Sequence, residues 1–382
     1  MNLAESLSVL SSKLLSLEIV KEDKGHLDHP EDLVFLGDIE GAKRALDAIQ
    51  QTVKSPDTVS IKWDGYPALI FGRGVNGKFS IMDKHMFNKK DGTGRQVFSP
   101  EQFVQYDQAR DVDRVGLHQL VAEIWPGLEK ADKSKGFYWG DLLFSQPLEE
   151  KDGVYTFRAN PKGITYTVDP NSEVGKLMAG KTAGIAVHQF ISPDAASTDQ
   201  ATPLNGTIGS LKNNSNIAII PSRMPITPKL KLDAGLISEV KKAINQYGSA
   251  VQKLMTTAPQ ARNTFNQLFT TYINKRIISG DLSNLLDGFK DYVTSRPMTD
   301  KMRTKIDAHF AENAEGLIGA FTIWIDIYNL KMNVVKQLDK AAASSPVKGY
   351  LQDGTQTQEG FVAQGLKFVD RMGFSRQNLA GR

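Results

Sequence analysis

Val59-Ser-Ile-Lys-Trp-Asp-Gly-Tyr-Pro-Ala-Leu-Ile-Phe-Gly72 is rich in β-branched and aromatic residues, and Lys78-Phe-Ser-Ile-Met-Asp83 repeats that texture. Between them lies Arg73-Gly-Val-Asn-Gly77, a turn-forming run, so residues 59–83 predict a β-hairpin. Downstream, the segments 136–144, 153–159, 163–169 and 184–191 are short, apolar and aromatic, and each opens on glycine. Strands that close together predict an antiparallel sheet. Upstream, residues 1–55 carry an amphipathic start and then apolar residues at helical spacing from Asp38 onward. Residues 193–228 are rich in Pro, Ser, Thr, Asn and Gly and predict loop or linker, whereas 230–344 have helical periodicity. Strand texture returns at Glu359-Gly-Phe-Val362 and Lys367-Phe-Val369. The expected class is therefore α+β: a discontinuous β-rich domain over 1–228 and 346–382, interrupted by an all-helical domain over 229–345.

The chain has 382 residues, enough for two or three domains and a core without staples. It has no cysteine, which excludes disulfide scaffolds, Cys-ligated zinc, iron–sulfur clusters and thiol catalysis. Lys and Arg total 46 against 43 Asp and Glu, a net charge of +3, so any nucleic-acid partner must be held by a local patch. The start lacks the pattern of a signal peptide. The most apolar stretch, Gly316–Leu330, is too short to span a bilayer and carries Asp326, so a buried helix is expected, in a cytoplasmic protein without a membrane partner.

Two patterns invite chemistry that their context does not support. Gly72-Arg-Gly-Val-Asn-Gly77 satisfies G-x-G-x-x-G, and with Lys78 nearly completes a P-loop, but Phe79 stands where a magnesium-binding hydroxyl belongs. Both motifs need a helix to follow, and here a strand-like run follows. His26-Leu-Asp-His29 offers two imidazoles, yet Gly25 and Pro30 interrupt any helix and no third ligand is close in sequence.

Lys62-Trp-Asp64-Gly65 resembles motif I (K-x-D-G) of the covalent nucleotidyltransferases: DNA ligases, RNA ligases and mRNA capping enzymes. Further segments resemble that family's motifs in the same order. Phe137-Tyr-Trp-Gly140-Asp141 resembles motif III, and Val154-Tyr155-Thr-Phe157 the following strand, whose aromatic stacks on the base. Glu359-Gly360-Phe361-Val362 resembles motif IV (E-G-x-V) and Lys367 the lysine of motif V. Ala183–Val187 lies at a more usual distance for motif IV but lacks an acid. Several runs also resemble proteins of large tailed bacteriophages, for which the location would be the host cytoplasm. The chain departs from the family at Pro67, where DNA ligases carry arginine, at Asp141, usually glutamate, and at Val369, where a second lysine is usual. These departures leave open a degenerate member that only binds nucleic acid.

The resemblance implies an adenylation-type fold and a polynucleotide ligase that uses ATP with Mg²⁺ or Mn²⁺. Lys62 would be the nucleophile, forming a lysyl-AMP, with Lys367 as the catalytic cation. Nucleotide contacts would come from Ile61, Asp64, Gly65, Arg73, Lys84, Asp141, Phe157, Glu359 and Arg371, and metal contacts from Glu359 and Asp141. Tyr155 and Lys89 are alternatives to Phe157 and Lys84. A lysine attacks only when neutral, and nearby cations favour that form while offsetting charge on the leaving pyrophosphate. The expected partners are strands with 5′-phosphate and 3′-hydroxyl ends. RNA is favoured over DNA because fifteen residues follow Lys367, too few for the OB domain of DNA ligases. Arg73, Lys78, Lys84, Lys89, Lys90 and Arg95, interleaved with Phe79, Phe87 and Phe98, form the densest basic segment for a polynucleotide backbone.

Overall fold

The computed structural model describes residues 27–160, 163–226, 228–259, 262–351, 354–357 and 360–373. The amphipathic start before residue 27, His26 and Glu359 lie outside the described residues. Helix α1 (Leu33–Lys54) is followed by β1 (Ser60–Lys62), β2 (Ala68–Arg73) and β3 (Phe79–Met82). Helices α2 (Lys84–Phe87), α3 (Pro100–Gln108) and α4 (Val115–Ala131) lead into β4 (Gly136–Phe144). Next come β5 (Glu150–Lys151), β6 (Val154–Arg158), β7 (Thr165–Val168), α5 (Glu173–Met178) and β8 (Ala183–Ile191). β9 (Thr202–Pro203), β10 (Ile217–Pro221) and β11 (Arg223–Pro225) precede helices α6 (Ala234–Thr256), α7 (Arg262–Ser279), α8 (Leu285–Ser295), α9 (Asp300–Glu312) and α10 (Ala314–Ala342). The chain closes with β12 (Val347–Tyr350), β13 (Gln356–Thr357), β14 (Phe361–Ala363) and β15 (Leu366–Phe368).

The strands form three sheets, in the orders β11-β1-β14-β15, β10-β8-β4-β2-β3 and β13-β12-β7-β6-β5. Helices with largely antiparallel sheets make this an α+β chain. The run Arg73–Gly77 is the turn of the β2–β3 hairpin, and the segment after it is strand, so no helix N-terminus is there to receive phosphates. One pairing departs from the antiparallel expectation. β10, in the stretch read as linker, lies parallel to β8, with Ile217 opposite Ala183. Its residues Ile217–Ile220 are all buried, as a parallel strand covered on both faces requires.

Helices begin where capping side chains allow. Asp233 accepts the N–H groups of Gly235 and Leu236 at the start of α6, and Ser99 accepts that of Gln102 at the start of α3. The apolar run Gly316–Leu330 is inside α10, where Leu317, Phe321, Trp324, Ile327 and Leu330 are buried. Among the described residues no helix is long and apolar enough to cross a membrane. The helical core is wider than 229–345. It takes in α1 through Phe35, Ile49 and neighbours, β1 through Ile61, and the β14–β15 hairpin through Phe361, Leu366 and Phe368.

Three cores meet at Lys62. Ile61 belongs to the helical core, Trp63 to a core under the third sheet, and Leu69–Phe71 to the core of the second sheet. The chain crosses from the first sheet to the second at Trp63–Pro67, between β1 and β2, and back from the second to the first at Ser222, between β10 and β11. The two crossings are bonded side by side: the Trp63 N–H donates to the Ser222 carbonyl at 3.3 Å, and the Ser222 N–H donates to Val187 at 3.1 Å.

Candidate functional site

β1 is only three residues long, but it is paired on both sides, so Lys62 has a fixed place. Across one edge Lys62 is opposite Arg223. Across the other, its N–H donates to the Gly360 carbonyl at 3.1 Å, just before β14. On the far side of β14, Val362 is opposite Lys367. Paired residues and residues two apart share a face of a sheet. Ile61, Phe361 and Phe368 therefore face the helical core, while Lys62, Arg223 and Lys367 share the other face, all three half-buried. A Cβ on Gly360 would lie 3.0 Å from the Lys367 Cε, so the lysine stem crosses that glycine toward β1. Neighbouring strands are about 4.8 Å apart, which puts the three cations within a span of roughly 15 Å.

The turn after Lys62 is pinned. The Tyr166 hydroxyl accepts the Asp64 N–H at 2.7 Å, and the Asn160 amide approaches both Asp64 oxygens at 3.4 Å. Gly65 is pressed onto β4: a Cβ there would meet the Asp141 Cβ and the Leu142 carbonyl oxygen, each at 2.7 Å. That closeness sets Asp141 against the turn, and its Oδ2 lies 3.5 Å from the Nε2 of His188. His188 reaches it through a β-bulge. Trp139 is opposite Gln189 and Gly140 is opposite Val187, so His188 is the extra residue and is turned out of the ladder. Its ring lies 5.5 Å from that of Trp139, which the Lys84 ammonium also overlies at 5.2 Å. Lys62 and Lys367 thus share a sheet face with Arg223, and the Asp64–Gly65 turn is set against Asp141, with His188 and, over Trp139, Lys84 behind it. Arg223 was hidden between Pro221 and Pro225 in a stretch with loop composition, and only register reveals it. His188 depends on a bulge that its own sequence does not mark.

With this geometry, comparison with known proteins is informative on one point: residues 24–382 match DUF6267, a family of unknown function. The chain belongs to the DUF6267 family. No curated protein and no solved structure matches it.

In this DUF6267 chain, three other expected residues are engaged elsewhere, and a fourth, Phe157, is mostly buried. Arg73 is at the opposite end of β2 from the site, opposite Gly136, and donates to the Gly77 carbonyl at 3.1 Å with Phe79 under its guanidinium. Five residues of strand separate it from Ala68, about 16 Å. Arg371 is buried and paired with Glu31 at 3.1 Å and with Asp32 at 2.9 and 3.0 Å, so its charge is already neutralised. Phe157 is in the core, its ring near Trp63, Phe144 and Tyr166. Ile61 contributes ladder backbone only, since its side chain is fully buried. In the basic segment, Lys78 overlies Phe98, Lys89 overlies Tyr106, and Arg95 donates to the carbonyls of Phe87, Ala195 and Ala196. Arg95 is thereby a loop clamp.

His29 stands beside Lys367 of β15. Its Nδ1 lies 3.2 Å from the Lys367 carbonyl, and the Lys367 N–H donates to the Asp28 carbonyl at 2.9 Å. Burial, and then the charges of Arg371, Lys331 and Lys367, hold its pKa well below the ordinary imidazole value. A neutral His29 and the Asp28 carbonyl therefore clamp the backbone of Lys367 from the outer edge of the sheet. Among the described residues no three His, Cys, Asp or Glu side chains converge to cage a metal ion. Among the described residues Asp64 and Asp141 offer carboxylates at the turn, with the Asn160 amide already against Asp64, which suits an ion that keeps most of its waters better than one held by protein alone.

Proposed function

We propose that the chain is an ATP-dependent polynucleotide ligase that adenylylates itself on Lys62. The observation supporting this most directly is the strand neighbourhood of Lys62. The K-x-D-G lysine is far in sequence from the glycine of Glu359-Gly-Phe-Val and the strand lysine Lys367, yet Lys62 in β1 bonds Gly360 at the start of β14, and Lys367 lies in the next strand, β15, of the same sheet. In this reading the Lys62 Nζ lone pair attacks the α-phosphorus of ATP, an N–P bond forms, the bond to pyrophosphate breaks, and the amine proton passes to solvent. A 5′-phosphate oxygen then takes the AMP from nitrogen, and a 3′-hydroxyl displaces AMP to form the phosphodiester.

Arg223 and Lys367, on the face that carries Lys62, favour its neutral amine and offset charge on the departing pyrophosphate. Asp141 is the carboxylate for Mg²⁺, whose contribution when bound is to neutralise the phosphates. Gly65 lets the turn close against that carboxylate.

The test is incubation of the protein with α-labelled ATP or GTP and Mg²⁺, beside Lys62→Ala. Label that survives alkali but not acid, on the wild type alone and with ATP, is the expected result. Absence of label from a protein whose mass shows no bound AMP would refute the reading. A panel of 5′-phosphorylated RNA and DNA ends then decides the acceptor.

A further inference from the structure

Tyr66 is 61% exposed, and among the described residues it is the one exposed aromatic side chain. Its backbone is fixed: its N–H donates to the Leu142 carbonyl at 2.9 Å, and the Leu142 N–H donates to Pro67 at 3.0 Å, so residues 66–67 extend the β2–β4 ladder. An exposed ring on a rigid backbone is a preorganised anchor that loses little entropy on binding. Tyr66 is also the next residue after the glycine of Lys62-Trp-Asp-Gly65.

Behind the ring is a cleft of about 640 Å³ between the end of β4 and the β5–β6 hairpin. Phe144 and Phe157 supply apolar wall, while Gln146 and Thr156 supply hydrogen-bonding groups. Its charges cancel: Lys151 and Arg158 are matched by Glu149 and Asp152. A phosphate would gain nothing from that balance, but a neutral planar ring with polar edges would fit all of it. Small-molecule sites bury most of their ligand. A ring left this open suits one residue of a longer polymer that continues past it.

We infer that Tyr66 and the cleft behind it hold the nucleobase at the 5′ end of a single polynucleotide strand, with its phosphate toward the Lys62 turn. This rests on the ligase reading for the identity of the strand, but its test does not. Tyr66 stacks on the base, Gln146 and Thr156 meet its polar edge, and the phosphate leaves the neutral cleft for the face that carries Lys62, Arg223 and Lys367.

The full chain is titrated with a short 5′-phosphorylated oligoribonucleotide carrying a 3′ fluorophore, and anisotropy gives Kd. Tyr66→Ala should weaken binding by about five- to a hundredfold, as loss of a stacking platform does, and Tyr66→Phe by less than about twofold. A 5-iodouridine at the 5′ end should photo-crosslink to Tyr66, and one at the 3′ end should not. Wild-type affinity in Tyr66→Ala, no binding by the wild type, or a crosslink mapped elsewhere overturns the subsite. Labelling of Lys62 in the same preparation separates the two ideas. Label without Tyr66-dependent binding removes the subsite alone, and Tyr66-dependent binding without label removes the ligase reading and leaves a strand-binding cleft.

Discussion

Lys331→Met is the substitution for which the structure gives the sharpest expectation. The Lys331 side chain on α10 is fully buried, and its ammonium donates to the Glu31 Oε1 at 2.6 Å. Arg371 reaches Glu31 and Asp32, and the Trp324 indole N–H donates to the Asp32 Oδ1 at 2.9 Å. Two acids and two bases thus sum to zero in a buried site, while the Glu31 Oε2 is buried without a hydrogen bond. Burial raises the pKa of Glu31, and the neighbouring Lys331 and Arg371 more than reverse it, leaving it below its ordinary 4.5. Its contribution to stability is therefore present above that value and is lost as pH falls through the folded pKa. Methionine keeps the length and removes the charge, leaving two carboxylates against one guanidinium. Breaking a buried pair in this way costs about 3–5 kcal/mol. Glu31 has an escape, since taking up a proton at pH 7 costs about 2.5 × 1.36, or roughly 3.4 kcal/mol, which sets the expected loss near 3–4 kcal/mol. In the variant Glu31 stays protonated when folded and ionises when unfolded, so the loss should shrink by about 1.4 kcal/mol per unit as pH falls from 7 toward 5. Glu31→Gln combined with Lys331→Met restores neutrality and should recover most of it. Urea unfolding followed by helical circular dichroism at pH 7 and pH 5 measures all of this. A cost below about 0.5 kcal/mol, no dependence on pH, or a double variant as unstable as the sum of the singles would refute the reasoning.

Asp339 on α10 makes the opposite pH prediction. Burial and then Asp370 push its carboxyl up to about 6 from 3.8, so it favours the fold at low pH and loses that contribution as pH rises through about 6. Asp339→Asn should raise stability at pH 8 by about 1–3 kcal/mol and leave it nearly unchanged at pH 4; equal melting temperatures at pH 8 would count against it. Gly65→Ala drives a methyl into the Leu142 carbonyl and the Asp141 Cβ, so it should cost about 1–3 kcal/mol and abolish labelling of Lys62. A folded Gly65→Ala variant that labels like wild type would show that the close approach to Asp141 does not matter.

What could be read from the sequence is what local pattern encodes. Residues 59–83 alternate and turn as a hairpin, and β2 and β3 pair there with Ile70 opposite Met82. The helical periodicity after residue 230 becomes α6–α10, and the apolar run at 316–330 becomes the buried middle of α10. Pairing across long separations leaves no such mark. Nothing within Ser222–Pro225 says that Arg223 will be opposite Lys62, because that depends on which residue of β1 the strand meets. The apolar stripe of α1 shows that one face is buried but not that α10 and α6 cover it, which moves the helix out of the β-rich part where its position in the chain had suggested it belonged. Arg371 misled for a related reason. A cation shortly after a strand lysine is equally compatible with a phosphate and with a buried acid, and Glu31 and Asp32 are more than three hundred residues away in sequence.

The helices are therefore part of the site's construction. The first sheet has only four strands, three of them three residues long and the fourth, β1, no longer. Such strands are too short to stand alone in water. What holds them is the face opposite the cations: Ile61, Phe361, Leu366 and Phe368 sit in the core built by α1 and α6–α10. The ion network then ties Pro30–Asp32 to α10 and to the chain just after β15, and Asp28 and His29 clamp the Lys367 backbone from the same segment. Most of these contacts join a residue before 35 to one after 360, and Lys331 ties that pairing to α10. Lys62 and Lys367 consequently depend for their spacing on a clamp at the Lys367 backbone and on side chains packed behind the sheet. The helical segment reads as the wall against which the two lysines are set, and a change in its core should disturb the site before it disturbs the second and third sheets, whose cores it does not share.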